Sequence, residues 1–144
     1  MRSLIDLAGD RFIVWSTWSW LEAQLATGKQ PVYRFRFDLA PPDAFGNRAE
    51  AGAMHALEVD YVFGILDANK KRRWKAEDRE LSEQMQKYWT NFAKTGDPNG
   101  PGLPPWPKYQ AASGWQGMYL SPQPHAEKDE GRERYLFLNA VWIK

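Results

Sequence analysis

The chain contains two histidines and no cysteine, so imidazole is its side chain best suited to proton transfer near neutral pH. His55 lies in the stretch GAMHALEVDYVFG (52–64), behind small residues and ahead of an apolar run. His125 begins the charged stretch HAEKDEGRER (125–134). A histidine without a recognisable partner is weak grounds for catalysis, so residues elsewhere in the chain must show whether His55 acts as a base.

Metal binding and other nucleophiles receive little support from residue types and spacing. His55 and Glu58 are three residues apart and would share one face of a helix, but no third ligand follows at a regular spacing. Catalytic zinc usually has three protein ligands, so we predict no metal site. The lack of cysteine excludes thiolate chemistry and disulfides, and no serine lies in a G-x-S-x-G elbow.

A basic run, NKKRRWK (69–75), raises the alternative of a nucleic-acid adaptor in which Trp74 stacks on a base. The formal net charge of the chain is only +1, which gives no general attraction for polyanions. We therefore predict a solvated loop before an acid-rich helix and no nucleic-acid partner. No apolar run approaches the roughly 20 residues of a membrane span.

Four segments carry enough periodicity to predict the elements that position His55. Residues 10–27 have bulky apolar side chains at helical spacing, and Gly28 is placed to cap that helix. Residues 31–38 alternate aromatic and charged side chains, which predicts a strand. Residues 76–95 predict a second amphipathic helix with acids in its first turn, whereas the type of the apolar element at 57–66 stays open.

The C-terminal third predicts a terminal antiparallel pair of strands. The two strand candidates are Gly117–Leu120 and Tyr135–Trp142, and the charged stretch 125–134 would form the loop between them. A hydrophobic content of 43% indicates a globular chain, and no internal repeat or domain boundary appears. These patterns predict a mixture of helices and strands within one unit.

Five segments follow one another in a distinctive order: GDRF (9–12), PVYRFRFD (31–38), GAMHALEVDYVFG (52–64), YWTNFAKTGDPN (88–99) and WPKY (106–109). This order resembles the C-terminal part of type B carboxylesterases, the cholinesterase-like branch of the α/β-hydrolase superfamily. The resemblance extends over nearly the whole chain. It implies an α/β fold that is the C-terminal portion of an α/β-hydrolase, so that residues 1–144 would form a single partial domain. In that portion 31–38 would be a core strand, and the histidine loop would follow it.

The resemblance also implies a role for His55 as the base of a Ser-His-Glu or Ser-His-Asp triad. Gly52 and Ala53 would permit a tight approach beside His55, and Glu58 would brace the loop rather than serve as the triad acid. The nucleophilic serine, the oxyanion segment and the acid belong to the upstream part of such enzymes. The implied reaction, hydrolysis of a small-molecule carboxylic ester through an acyl-serine, needs no cofactor.

Two further expectations concern partners. The strand at 31–38 would lack a neighbour on one side, and the helix at 10–27 would expose Trp15, Trp18 and Leu21. We therefore expect the chain to self-associate or to bind the upstream part of the same enzyme. The alternative is that the terminal pair, Gly117–Leu120 and Tyr135–Trp142, folds back to cover the edge. The alternative function is a non-catalytic module, derived from an esterase, that holds a partner on its aromatic surface.

Overall fold

The computed structural model describes residues 2–50 and 52–142, and within these ranges five α-helices flank a three-stranded sheet. The helices are α1 (Arg2–Gly9), α2 (Trp15–Thr27), α3 (Val59–Val62), α4 (Ala76–Thr95) and α5 (Arg132–Trp142), and the strands are β1 (Phe35–Phe37), β2 (Gln116–Leu120) and β3 (His125–Lys128). Short 3₁₀ turns occupy Leu66–Ala68 and Ala111–Ser113. None of the described helices combines the length and the apolar character that a bilayer span requires.

A π-helical turn, Asp10–Val14, joins α1 to α2, so that residues 2–27 form one interrupted helix. The helix predicted from residue 10 is confirmed, and it begins earlier than its apolar spacing suggested. The predicted cap, Gly28, is the residue at which the helix ends, and its N–H donates to the Gln24 carbonyl at 2.7 Å. Its backbone is extended, with φ −82° and ψ 161°, and so does not have the left-handed conformation of a typical glycine cap.

The sheet has the order β1-β2-β3 and mixes both pairings. Strand β1 runs parallel to β2 with Phe35 opposite Met118, and β2 runs antiparallel to β3 with Met118 opposite Ala126. On its other side β1 has no strand among the described residues. Its free edge therefore carries main-chain groups that another strand can pair with.

The expected terminal strand pair is present, but its second member was assigned wrongly. Residues 135–142 are not a strand; they belong to α5, and β3 lies at 125–128 inside the stretch predicted to be a loop. Arg132, Tyr135 and Leu138 are buried at a spacing of three, which is helical. Strand β3 is a polar edge strand without an apolar alternation, so the sequence carried no signal for it.

The predicted aromatic face of β1 packs against α3 and α4. Edge-to-face ring pairs join Tyr33 to Phe92, Phe35 to Trp89 and Phe37 to Tyr61, with centroids 5.0–6.0 Å apart. The buried core around this layer consists of Leu39, Tyr61, Leu66, Leu81, Met85, Tyr88, Trp106, Met118 and Leu120. Helix α4, predicted at 76–95, is confirmed at those bounds.

A second buried cluster, centred on Asp129, connects the sheet to the helices. The Asp129 carboxylate accepts from Arg34 Nε at 3.0 Å and from the Tyr109 hydroxyl at 2.8 Å. Arg132 of α5 donates to that hydroxyl and to Glu22 of α2. Burial raises the pKa of Tyr109 to about 12 despite the Arg132 guanidinium, so its hydroxyl remains a donor to Asp129.

Helix α5 also covers the apolar side of α2. Trp18 is only 2% exposed and lies 5.8 Å from the Tyr135 ring, and the Trp15 ring packs edge-on against Trp142. The expectation that Trp15, Trp18 and Leu21 would be exposed is therefore wrong: Trp18 is buried, and Trp15 and Leu21 are half-buried. The segment predicted to be a strand is the helix that covers Trp18 and packs on Trp15.

Candidate active site around His55

His55 lies in a run of turns between β1 and α3, and its side chain is exposed. The imidazole meets the Phe12 ring edge-on, with centroids 6.0 Å apart and planes at 81°. Among residues 2–50 and 52–142, none is hydrogen-bonded to either ring nitrogen. Both nitrogens of His55 are thus available to groups outside this part of the chain.

The backbone on both sides of His55 enters the left-handed region. Gly52 has φ +84°, and its N–H donates to the Ala49 carbonyl at 3.0 Å, which closes a turn before the histidine. Ala56 follows His55 with φ +64°, a conformation that costs an L-residue with a Cβ roughly 1–2 kcal/mol. Ala53 is half-buried between these turns. The loop therefore holds His55 outward on a strained backbone.

Glu58 lies at the end of this loop and begins α3. Its carbonyl accepts from the N–H groups of Tyr61 and Val62, both at 3.0 Å. Its half-buried carboxylate makes no hydrogen bond to any described residue, His55 included. His55 and Glu58 do not share a helical face, because residues 55–58 form turns and α3 starts only at Val59.

One fully buried carboxylate, Asp78, fastens both ends of the histidine loop to the start of α4. Arg48, before the loop, donates from Nη2 to Oδ1 at 3.0 Å. Tyr61, after the loop, donates from its hydroxyl to the same oxygen at 2.5 Å. The Lys75 N–H reaches Oδ2 at 2.8 Å, so Asp78 also closes the first turn of α4.

Tyr61 and Arg48, which donate to Asp78, are held in place by burial and by further hydrogen bonds. Burial, together with the hydrogen bond to Asp78, raises the pKa of Tyr61 well above its ordinary value, so this hydroxyl stays protonated as a donor. Arg48 also donates to the Ala40 carbonyl at 2.6 Å and to Glu77 at 2.5 Å. The histidine loop, of which residues 49–50 and 52–58 are described, therefore has its two ends fixed to one point while its middle, with His55, faces outward.

A cavity of about 240 Å³ lies behind the histidine loop. Its lining includes Gly52, Met54 and Leu57 from the loop and the guanidinium-bearing residues Arg48 and Arg72. Arg72 donates to the Pro42 carbonyl at 3.1 Å, so it is already engaged. Within the described ranges, no three histidine, aspartate or glutamate residues are grouped closely enough to hold a metal ion.

The structure adds Phe12, Asp78 and Ala56 to the residues predicted for this site. Phe12 lies 43 positions before His55, so only the fold brings the two together. Asp78 was recognised as an acid of the first helical turn, but its role as an acceptor for two distant residues has no sequence signal. Trp74 of the basic run packs edge-on against Tyr61 at 5.6 Å, which turns its ring toward the core.

Comparisons with known proteins show what the chain is similar to. The model of the carboxylesterase family matches residues 1–137. Carboxylesterase 4A of Bos taurus is 37% identical over 108 residues, which are 75% of this chain and 19% of that protein. Acylcarnitine hydrolase of Rattus norvegicus is 44% identical over 115 residues, which are 79% of this chain and 19% of that protein.

Solved structures agree with the sequence relatives. A structure named thermophylic PNB esterase superposes with a TM-score of 0.63 and 32% identity, covering 75% of this chain and 22% of its own. This likeness shows that the chain has part of an α/β-hydrolase fold, as expected from its sequence. The chain spans about a fifth of the length of the curated relatives it matches.

Asp78→Ala is expected to lower the free energy of unfolding by about 3–5 kcal/mol, because Arg48 and Tyr61 lose a buried acceptor. Urea denaturation at fixed protein concentration measures this loss. Asp67→Asn is the control, since its carboxylate pairs with Arg79 at 2.8 Å on the exposed surface, where ion pairs contribute little. Equal losses in the two variants would contradict the role given to Asp78.

Ala56→Gly is expected to raise the free energy of unfolding by up to about 1 kcal/mol, since relief of the left-handed strain exceeds the added freedom of the unfolded chain. Ala56→Val should lower it by roughly 1–3 kcal/mol. Ala53→Gly provides the matched control, because Ala53 does not have a positive φ and gains nothing from glycine. A loss in Ala56→Gly as large as that in Ala53→Gly would show that the loop is unstrained.

Proposed function

Because the chain belongs to the carboxylesterase family, we propose that His55 is the general base of a carboxylic ester hydrolase that works through an acyl-serine intermediate. The nucleophilic serine and the triad acid come, in this proposal, from segments outside these 144 residues. The observation that carries it is the setting of His55: an exposed imidazole without a hydrogen bond to any described residue, on a loop fixed at both ends.

The position of this loop relative to the sheet supports the proposal. Strand β1 is parallel to β2, and the chain leaves its carboxyl end at Phe37 to reach the histidine loop. In open α/β sheets, functional groups gather at the carboxyl ends of the parallel strands. A serine and an acid presented from neighbouring parallel strands would reach His55 from that same side.

The chemistry requires two different contacts from one imidazole. One nitrogen takes the serine proton as the hydroxyl attacks the ester carbonyl, and it later protonates the leaving alcohol. The other nitrogen donates to an acid that fixes the tautomer and stabilises the imidazolium. Since nucleophile and base are both side chains, the reaction needs neither metal nor cofactor. The substrate class is a small-molecule carboxylic ester.

We assign Gly52, Ala53 and Glu58 to support of the histidine loop. Gly52 and Ala53 allow the chain to turn closely beside His55. Glu58 stands at the N-terminal end of α3, where a carboxylate is favoured by the helix dipole. Its place in the same run of turns as His55 makes it a brace for the loop rather than the triad acid.

In an active preparation of the ester hydrolase that contains this chain, His55→Ala should lower kcat by about 10⁴-fold or more, because the serine loses its base. The fold should persist, since the side chain is exposed. Initial rates with p-nitrophenyl acetate measure kcat, and the melting temperature checks the fold. Activity that survives His55→Ala would refute the assignment.

Two controls accompany this experiment. Glu58→Gln should change the melting temperature more than kcat; a variant as inactive as His55→Ala with an unchanged melting temperature would make Glu58 the acid. The 144-residue chain alone should hydrolyse the ester no faster than free imidazole at matched concentration. Saturable hydrolysis by it, abolished by a serine-directed phosphonate, would mean that the nucleophile lies within these residues.

We further propose that a protein segment pairs with the free edge of β1 and that exposed apolar side chains are covered by the same association. Phe35 on that strand is 39% exposed although its ring contacts Trp89. Other large apolar side chains are 65–81% exposed: Leu4, Phe12, Trp20, Phe45, Met54, Phe63 and Phe137. Covering each would contribute roughly 1.5–3 kcal/mol, comparable in sum to the stability of a small domain.

Light scattering on freshly purified chain is expected to give a mass above 16.7 kDa, because an open edge and exposed aromatic rings recruit another copy when the upstream segment is not supplied. Phe35→Pro in β1 tests the edge, because the parallel register bonds Arg34 and Asp38 to β2 and leaves the main-chain groups of Phe35 on the free side. Trp20→Ser tests the apolar surface. Either substitution should lower the measured mass toward that of the monomer. A sharp monomeric mass, with cooperative unfolding and no dye-binding apolar surface, would overturn this proposal.

A further inference from the structure

We propose that Phe12 is a positioning residue that holds the His55 imidazole in one orientation. The inference rests on the role of His55 as a base proposed above. A base in a triad must present one nitrogen to the serine and the other to the acid, so rotation of its ring must be restricted. Within the described chain, the one ring that contacts the His55 imidazole is Phe12.

The contact has the geometry of a specific aromatic pair. The two rings are nearly perpendicular, at 81°, with centroids 6.0 Å apart, which is an edge-to-face arrangement. Both side chains are exposed, so this contact is not imposed by core packing. In this arrangement the phenyl group occupies one side of the imidazole, which removes a range of histidine χ2 angles.

Phe12 can restrict His55 only if its own backbone is fixed, and an ion pair between a buried carboxylate and a partly exposed guanidinium does this. Asp10, two residues earlier, is 2% exposed and accepts from Arg134 of α5, with Nε–Oδ2 at 2.5 Å and Nη2–Oδ1 at 3.1 Å. The Asp10 carboxylate therefore secures the π-helical turn to α5. Phe12 projects from this secured turn while its own ring is 73% exposed.

The π-helical turn decides where Phe12 points. Residues 10–14 interrupt an otherwise regular helix. Because each residue of an α-helix turns the chain by roughly 100°, adding or removing one residue in this turn would rotate the Phe12 side chain away from His55. Single π-turns in α-helices occur frequently at functional sites. Here the turn satisfies two demands together, burying Asp10 against α5 and directing Phe12 outward to the histidine.

The histidine signals in NMR spectra of the 144-residue chain test this contact directly. The chain has only two histidines, so His125→Ala identifies the His55 resonances. Phe12→Leu should move the His55 ring shifts toward those of free imidazole and lower the order parameter of the ring, while Phe12→Tyr should preserve both. Phe137→Leu is the control, because Phe137 is a similarly exposed phenylalanine, at 65%, on α5.

The second arm measures catalysis in the active ester hydrolase that contains the chain. Phe12→Leu should lower kcat by roughly 10- to 100-fold with little change in KM, and Phe12→Tyr should restore kcat. Unchanged His55 signals or an unchanged kcat in Phe12→Leu would each overturn the inference. Failure of the proposed function is distinguishable, since it is shown by activity that survives His55→Ala whatever the NMR result.

Discussion

Everything near His55 depends on one buried carboxylate. Asp78 receives hydrogen bonds from Arg48 and Tyr61, which stand at the two ends of the histidine loop, and from the backbone at the start of α4. An isolated carboxylate would be costly to bury, but three donors satisfy it and one of them is cationic. The loop needs no core of its own, because its ends are fixed to α4, whose Leu81, Met85 and Tyr88 are buried in the core.

A second buried carboxylate, Asp129, also accepts hydrogen bonds from several segments, and it fixes a different part of the chain. Asp129 gathers Arg34 of the β1 segment and Tyr109, and Arg132 extends this cluster to Glu22 of α2. Asp10 joins the π-helical turn to α5. Helix 2–27 is thus fixed through α5, whereas the histidine loop is fixed through α4. The contact between Phe12 and His55 is where these two separately anchored parts of the chain meet.

Sequence patterns predicted the amphipathic elements of the fold correctly. They failed for elements that lack one apolar and one polar face. Helix α4 and the helix at 10–27 follow from apolar spacing, and the aromatic face of β1 follows from alternation. Strand β3 is polar and pairs only through its backbone, and α5 carries apolar residues on more than one face, so periodicity misassigned both. The π-helical turn, the left-handed Ala56 and the donors of Asp78 arise from tertiary contacts that no local pattern encodes. His55 itself stood out only through family resemblance.

The described part of the chain does not set the tautomer of His55. Histidine tautomers are set by the hydrogen bond that the second nitrogen makes, and no described residue makes such a bond with His55. In the proposed hydrolase, Phe12 restricts the ring, but the face of a phenyl group is a much weaker acceptor for an N–H than a carboxylate oxygen. Position and protonation would then be controlled by different parts of the structure. This chain would fix where the imidazole lies, and a carboxylate from another segment would decide which nitrogen carries the proton.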